Sequence, residues 1–189
     1  MAKLIYITNT SFDGFIEDAD GKFDWPASAE TYALFTGLLG QLGTLIYGRR
    51  LYESMAYWGS PVETYPKEHH AFAEVWQRPL KLVYSRTLST LTAPNTQLRR
   101  TFDAEPIREL KRTSEKDISI GGAELASAAV EANLVDEFHV VAHPLFVGRG
   151  KPAFKPSLRR NLNLIETRRL ETGAVYLRYN ILAGPPPQG

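Results

Sequence analysis

The sequence predicts an α/β sandwich: a mostly parallel mixed sheet between two layers of helix, with an antiparallel hairpin at its C-terminal end. Three observations predict it. Short apolar runs alternate with segments of helical period along the chain, the pattern of repeated βαβ units. The strand-like runs near residues 44–47 and 117–120 end in glycine immediately before a helix-like segment. The last two runs, 162–170 and 174–182, are joined by Glu171-Thr172-Gly173 alone, which reads as a hairpin.

Each element has its own reason. Residues 3–8 are rich in Leu, Ile and Tyr and read as a buried strand. Residues 11–26 carry Asp13-Gly14 and Asp20-Gly21 turn signals, with a short extension at Phe15-Ile16. From Ala29, the residues Tyr32, Phe35, Leu38, Leu39 and Leu42 form one helical face; Ser28 is placed as its N-cap and Glu30 falls in its first turn. Residues 51–55 start a short helix that Gly59 and Pro61 stop, and 66–76 form another with Phe72, Val75 and Trp76 inward. Residues 80–84 read as a strand and 97–101 as a short one. Asp103 caps a helix through Lys111 that buries Ile107 and Leu110. After the strand at 117–120, residues 123–133 pair Leu125 with Ala129 and Ala126 with Val130, a helix packed on its small residues. Residues 137–145 are apolar on both faces, so this strand is expected inside the sheet and not at its edge. No shift in composition marks a boundary. One domain over 1–183 is expected, followed by a disordered Gly-Pro-Pro-Pro-Gln-Gly tail at 184–189.

The composition excludes several classes of function. The chain has 189 residues, 22 basic and 21 acidic, for a formal net charge of +1. That balance argues against a broad nucleic-acid or anionic-membrane surface, which needs a basic excess. The apolar runs fall short of the roughly 18 residues of a membrane span. A soluble cytoplasmic protein acting on a small molecule is therefore expected. The absence of cysteine removes disulfides, thiolate nucleophiles and cysteine-ligated metal sites.

Chemistry concentrates at the ends of strands, where open α/β sheets hold ligands. Gly121-Gly122 lies between a strand and a helix start. It either makes a tight turn or lets a phosphate reach the free amides of that helix. Arg49, Arg50 and Arg86 follow other strand ends and are either ordinary surface arginines or a phosphate clamp. Jointly these three ends favour an anionic nucleotide. Gly148-Arg149-Gly150-Lys151-Pro152-Ala153 fits a dinucleotide fingerprint formally, but Pro152 and Pro156 interrupt any following helix, so it reads as a turn. His69 and His70 read as a solvated edge. His139 and His143 share one strand face with no carboxylate cluster beside them, so no metal site is expected. The loop from Asp13 to Trp25 suits a flap over a site at the strand ends, or a solvated connection anchored by Phe23 and Trp25. Asp24 and Glu30 are the nearest carboxylates, available for proton delivery or simply as helix-start charges.

Taken in order, Ser11-Phe12-Asp13-Gly14-Phe15-Ile16, Phe23-Asp24-Trp25, Gly48-Arg49-Arg50-Leu51-Tyr52-Glu53, Ser85-Arg86-Thr87, Ile120-Gly121-Gly122-Ala123-Glu124-Leu125, Leu134-Val135-Asp136-Glu137 and Pro144-Leu145-Phe146-Val147-Gly148-Arg149-Gly150 resemble the dihydrofolate reductase-like superfamily. The branch most similar is the C-terminal reductase domain of the bacterial riboflavin-biosynthesis protein RibD, over about residues 3–182. The resemblance implies a three-layer α/β/α fold of the dihydrofolate reductase type, NADPH as hydride donor, and commonly a homodimer. It also implies site residues. Gly48, Arg49, Arg50 and Leu51 resemble the turn that approaches the cofactor phosphates, with Leu51 standing where many relatives have threonine. Ser85, Arg86 and Thr87 resemble the end that holds the adenosine 2′-phosphate, and Gly121, Gly122, Ala123 and Glu124 the pyrophosphate-binding turn. Asp13, Asp24 and Glu30 are the candidate catalytic carboxylates; Asn9, Trp25 and Tyr52 are candidate substrate contacts. The substrate implied is a small heterocycle or a ribosylaminopyrimidine, with a dihydrofolate reductase or a non-catalytic nucleotide-binding protein as alternatives. RibD's deaminase half uses a His/Cys/Cys zinc site, which a chain without cysteine cannot build, so a stand-alone reductase is expected.

Overall fold

The computed structural model describes residues 1–155 and 158–182, so the expected tail at 184–189 lies outside the described residues. An eight-stranded sheet runs in the order β5(Thr96–Arg99), β4(Leu80–Tyr84), β3(Leu42–Gly48), β6(Asp117–Gly121), β1(Leu4–Ser11), β7(Glu137–His143), β10(Val175–Ile181), β9(Leu162–Arg169). Neighbours from β5 through β7 are parallel, whereas β10 is antiparallel to both β7 and β9. This is the expected mixed sheet with its C-terminal hairpin.

Both faces are covered, which is why the central strands read as continuous apolar runs. Leu4 and Tyr6 of β1, with Ile46, Leu82, Ile118 and Ile120, pack under α4(Ala104–Thr113) and α5(Ala123–Glu131). Ile5, Leu45, Tyr47 and Val83 face the other way, toward α1(Ala29–Gly40), α2(Arg49–Met55) and α3(His70–Gln77). A third cluster joins Val141, Leu170, Ala174 and Tyr176 to Leu34, Phe35 and Leu38 of α1. The local signals act as read. Ser28 accepts from Thr31 N–H at the start of α1, and Asp103 accepts from Glu105 N–H at the start of α4.

Three readings need correction. The segment at 148–152 is more than a turn: β8(Gly150–Pro152) pairs antiparallel with β2(Phe15–Asp18), a ribbon between segments too distant in sequence for local patterning to predict. The histidines at 69 and 70 are not a solvated edge. His69 packs against Tyr32, ring centroids 4.5 Å apart and planes tilted by 33°, and the His70 ring bonds Tyr65 O at 2.9 Å. His139 does have carboxylate company. Glu137, two residues along the same face, lies 3.0 Å from its Nε2, and Glu137 is also bound by Lys3 at 2.6 Å and Arg178 at 2.8 Å. Burial opposes ionisation of Glu137, but these three partners outweigh it and bring its pKa down to about 2.

Candidate active site

Because β4, β3 and β6 are parallel neighbours, their carboxyl ends lie side by side and bring the turns 85–87, 48–50 and 121–122 together. Here glycine is favoured by backbone conformation. Gly122 has φ of +93°, which side-chain-bearing residues rarely adopt, while a Cβ on it would make only ordinary contact, 3.5 Å, with the backbone nitrogen of Gly48. A Cβ on Gly121 would fall 2.3 Å from Cδ2 of Leu51, so Leu51 covers the turn where a hydroxyl was expected. No side chain caps α5, which leaves its first amides open above this glycine cradle. Gly48 is likewise the uncapped start of α2.

The arginines differ in availability. Arg49 pairs with Glu53 at 3.6 Å, and Arg50 with Glu17 of β2 at 3.2 Å. Arg86 is exposed, and no carboxylate pairs it among the described residues. Its loop is already braced: Ser85 Oγ accepts from the amides of Thr87 and Leu88, and Arg100 donates to Leu88 O at 2.8 Å. Ser85 thus holds the turn, while Arg86 and Thr87 stay exposed on it. Glu124, in the first turn of α5, is bound by Lys151 of β8 at 2.8 Å; that hydrogen bond and charge hold its carboxyl below the usual range. The β2–β8 ribbon therefore reaches the strand ends through two ion pairs, Glu17 with Arg50 and Lys151 with Glu124.

The second half of the site is at the ends of β1 and β7. Asn9 and His143 are on these adjacent strands, and Asn9 Oδ1 lies 2.9 Å from His143 Nε2. The Trp25 indole stacks on the His143 ring, centroids 5.9 Å apart and planes 18° apart. His143 is 1% exposed, and its Nδ1 has no hydrogen-bond partner. Burial lowers its pKa. Trp25 arrives on residues 19–28, which form neither helix nor strand.

The candidate carboxylates have other engagements. Asp13 accepts from the amides of Val147 and Gly148 at 3.2 and 2.7 Å, pinning the loop after β7 to the loop after β1. Despite some desolvation, its bonds with Ser11 and these amides keep its pKa low. Glu30 accepts from Glu171 N–H at 2.7 Å and so ties α1 to the β9–β10 hairpin. Asp24 is exposed beside Trp25. Tyr52, expected at the substrate, is instead 2% exposed with its hydroxyl accepting from Thr92 and Ala93 amides. The structure therefore brings Asn9 and Trp25 together at His143, sets the three glycine and arginine turns side by side, and keeps Tyr52 and Glu30 in structural bonds. Sequence reasoning missed His143 and Lys151 as site residues. The signal for His143 was an imidazole at the carboxyl end of a buried strand, with no carboxylate two residues before it as His139 has; Lys151 had none, since its position depends on the β2–β8 pairing.

Comparison with known proteins agrees with this fold. A family model described as the RibD C-terminal domain matches residues 2–176. The YyaP protein of Bacillus subtilis, which is uncharacterised, is 31% identical over 182 residues, covering 94% of each chain. Among solved structures, a pyrimidine reductase-like protein from Corynebacterium diphtheriae superposes with a TM-score of 0.74 at 16% identity, over 97% of this chain and 93% of that one. Dihydrofolate reductase from Enterococcus faecalis, complexed with NADP(H), superposes with a TM-score of 0.63 at 15% identity, over 95% and 96%. Among the described residues, no helix is long and apolar enough to cross a membrane.

Proposed function

The chain belongs to the RibD C-terminal domain family, and from that premise we propose that it is a reductase that takes NADPH as hydride donor and a ribosylaminopyrimidine as acceptor. The observation that carries this reading is the glycine cradle at two adjacent strand ends, with Arg86, unpaired among the described residues, on the third beside it. The positive φ of Gly122 disfavours a side chain, Leu51 fills the place of one at Gly121, and open helix amides face the gap, which fits a pyrophosphate. Bound there, the nicotinamide would supply the hydride.

The protein's own contribution is orientation, charge and shielding. Gly48, Gly121, Gly122 and Ala123 provide close backbone approach. Arg86 and Thr87 meet the 2′-phosphate, Arg49 and Arg50 add charge, and Trp25 closes over the reacting end and keeps water away. Glu30 bears on the choice of substrate. A pterin reductase needs an early-helix carboxylate at the ring, and here that carboxylate is committed to the Glu171 amide. This supports the pyrimidine reading over dihydrofolate.

The test is a fluorescence titration of wild type and Arg86→Ala with NADPH and NADH. Arg86→Ala is expected to weaken NADPH roughly 10- to 100-fold, the value of a charge-assisted phosphate contact, and to leave NADH nearly unchanged. Equal losses for both would remove Arg86 from the 2′-phosphate. Consumption of NADPH with 5-amino-6-(5-phosphoribosylamino)uracil but not with dihydrofolate is expected, followed by loss of nicotinamide absorbance.

A further inference from the structure

Resting on the proposed use of NADPH, we propose that Arg100 is a positioning residue for cofactor discrimination: it holds the 85–88 turn so that Arg86 and Thr87 meet the 2′-phosphate, without touching that phosphate itself. The argument starts from what the end of a strand offers an anion. β4 and β5 are parallel, Tyr84 pairs with Arg99, and the Ser85 amide donates to Arg99 O at 2.9 Å. The chain leaving β4 therefore lies beside the chain leaving β5, and Arg100 is the first residue beyond β5. The backbone of the turn has little for a phosphate. The amides of Thr87 and Leu88 are both taken by Ser85 Oγ, at 3.2 and 2.9 Å. The carbonyl oxygens of the turn carry partial negative charge, which opposes a dianion. An anion here depends on side chains.

Arg100 answers those oxygens. Its Nη1 donates to Leu88 O at 2.8 Å and lies 3.4 Å from both Ser85 O and Arg86 O. One nitrogen of a permanently charged guanidinium thus gathers three carbonyls of the turn. A hydrogen bond from a charged donor is of the stronger kind. The contact offsets the negative charge of the oxygens and ties the backbone of Arg86 to the strand beside it. Arg86 and Thr87 are exposed, so the backbone beneath them, and not packing around their side chains, sets where they project. Arg100 is exposed as well and pairs with no carboxylate among the described residues, so its engagement is with the turn. NADH has no phosphate at the 2′ position. Order in this turn therefore bears on NADPH alone.

A double-variant cycle separates positioning from contact. Wild type, Arg86→Ala, Arg100→Ala and the double variant are titrated with NADPH, NADH and adenosine 2′,5′-bisphosphate, the last by calorimetry. Arg100→Ala is expected to weaken NADPH and the bisphosphate about three- to tenfold, the value of one hydrogen bond, and to leave NADH nearly unchanged. In the Arg86→Ala background the same change adds almost no further loss, because the side chain that Arg100 positions is gone. Amide exchange at Thr87 and Leu88 accelerates in Arg100→Ala with no cofactor present. Arg100→Met keeps the aliphatic stem and goes through the same cycle with the same expected results, so a folded protein carries the test should the alanine variant not fold. Equal losses for NADPH and NADH would overturn the assignment and make Arg100 a structural support only. Losses that multiply in the double variant would also overturn it, since Arg100 then acts on the phosphate by its own contact or charge. Unchanged exchange at Thr87 and Leu88 would do the same. The underlying reading fails differently: if Arg86→Ala loses NADPH and NADH alike, the 2′-phosphate does not sit at this turn, whatever exchange shows.

Discussion

Gly121 illustrates how one missing atom can define a site. Its hydrogen occupies the place where a Cβ would meet Leu51 at 2.3 Å, in the same turn that would hold a pyrophosphate. Gly121→Ala is expected to push the Leu51 side-chain tip aside and to destabilise the protein by about 0.5–1.5 kcal/mol, the cost of an off-rotamer side chain. Leu51→Ala, which removes the obstructing methyl groups, should restore most of that loss in the double variant, as measured by denaturant unfolding. Simple additivity of the two changes would mean the contact is not the cause. The residue scale also explains why site carboxylates were hard to nominate from sequence. Asp13 and Glu30 have the right residue type and rough position, but each carboxylate is occupied by backbone amides contributed from far along the chain. Neither partner is visible in local sequence.

Among the elements, the β2–β8 ribbon is the part most dependent on tertiary contact. Gly150 must approach the β2 backbone so closely that a Cβ would fall 2.0 Å from Glu17 O. Gly150→Val should therefore open the ribbon. Amide exchange at residues 15–18 would accelerate, while the central strands keep their protection; unchanged exchange there would show that the ribbon tolerates the side chain. The same ribbon restrains Arg50 through Glu17 at 3.2 Å. Glu17→Gln frees that guanidinium, and a modest gain in NADPH affinity, about two- to fivefold for a partly exposed pair, is expected in the same titrations. A loss would mean that Glu17 supports the cofactor turn and does not compete with it. The elements themselves were mostly legible in the sequence because their patterns are local: Ser28 and Asp103 cap helices as read, and β7 lies inside the sheet as expected, although one of its faces carries Glu137, His139 and His143. β8 was not, because a three-residue strand has no periodicity to read and exists only by pairing with β2.

For the whole molecule, the response to acid follows from three buried groups. Glu137 has a folded pKa of about 2 against an ordinary value of 4.5, so its stabilisation is complete above that value and disappears as pH falls toward 2. On the order of 3 kcal/mol is involved. His139 and His143 are both lowered, chiefly by burial. The unfolded chain therefore takes their protons first, and stability falls as pH drops below about 6.5. Both effects have one sign. The melting temperature should decline first below about pH 6.5 and again below about 4.5, and a flat profile from pH 8 to 4 would contradict the histidine contribution. Assembly also belongs to this scale. Every residue of the edge strand β9 is exposed, including Leu162, Leu164 and Ile165, and an open apolar edge invites pairing. The homodimer expected by resemblance is proposed here: two antiparallel copies of β9 crossing at Thr167 set each Glu166 opposite Arg168 of the other. Leu164→Lys should yield monomers in analytical ultracentrifugation, and a wild type that sediments as a monomer would refute the arrangement.

The sequence by itself determined the layers, the order of strand and helix, the terminal hairpin and the three glycine- and arginine-bearing strand ends, because hydrophobic period, caps and turn residues act over a few positions. Only the tertiary structure decided which side chains remain free to act. It committed Glu30 to the Glu171 amide and Tyr52 to the amides of Thr92 and Ala93, it left Arg86 unpaired among the described residues, and it buried His143 beside Asn9 and Trp25 with one nitrogen unanswered among them. The physical reason is that hydrogen-bond satisfaction is a property of the folded whole: a donor or acceptor is spoken for by whatever the sheet brings within 3 Å, and that partner is often more than 100 residues away in the chain.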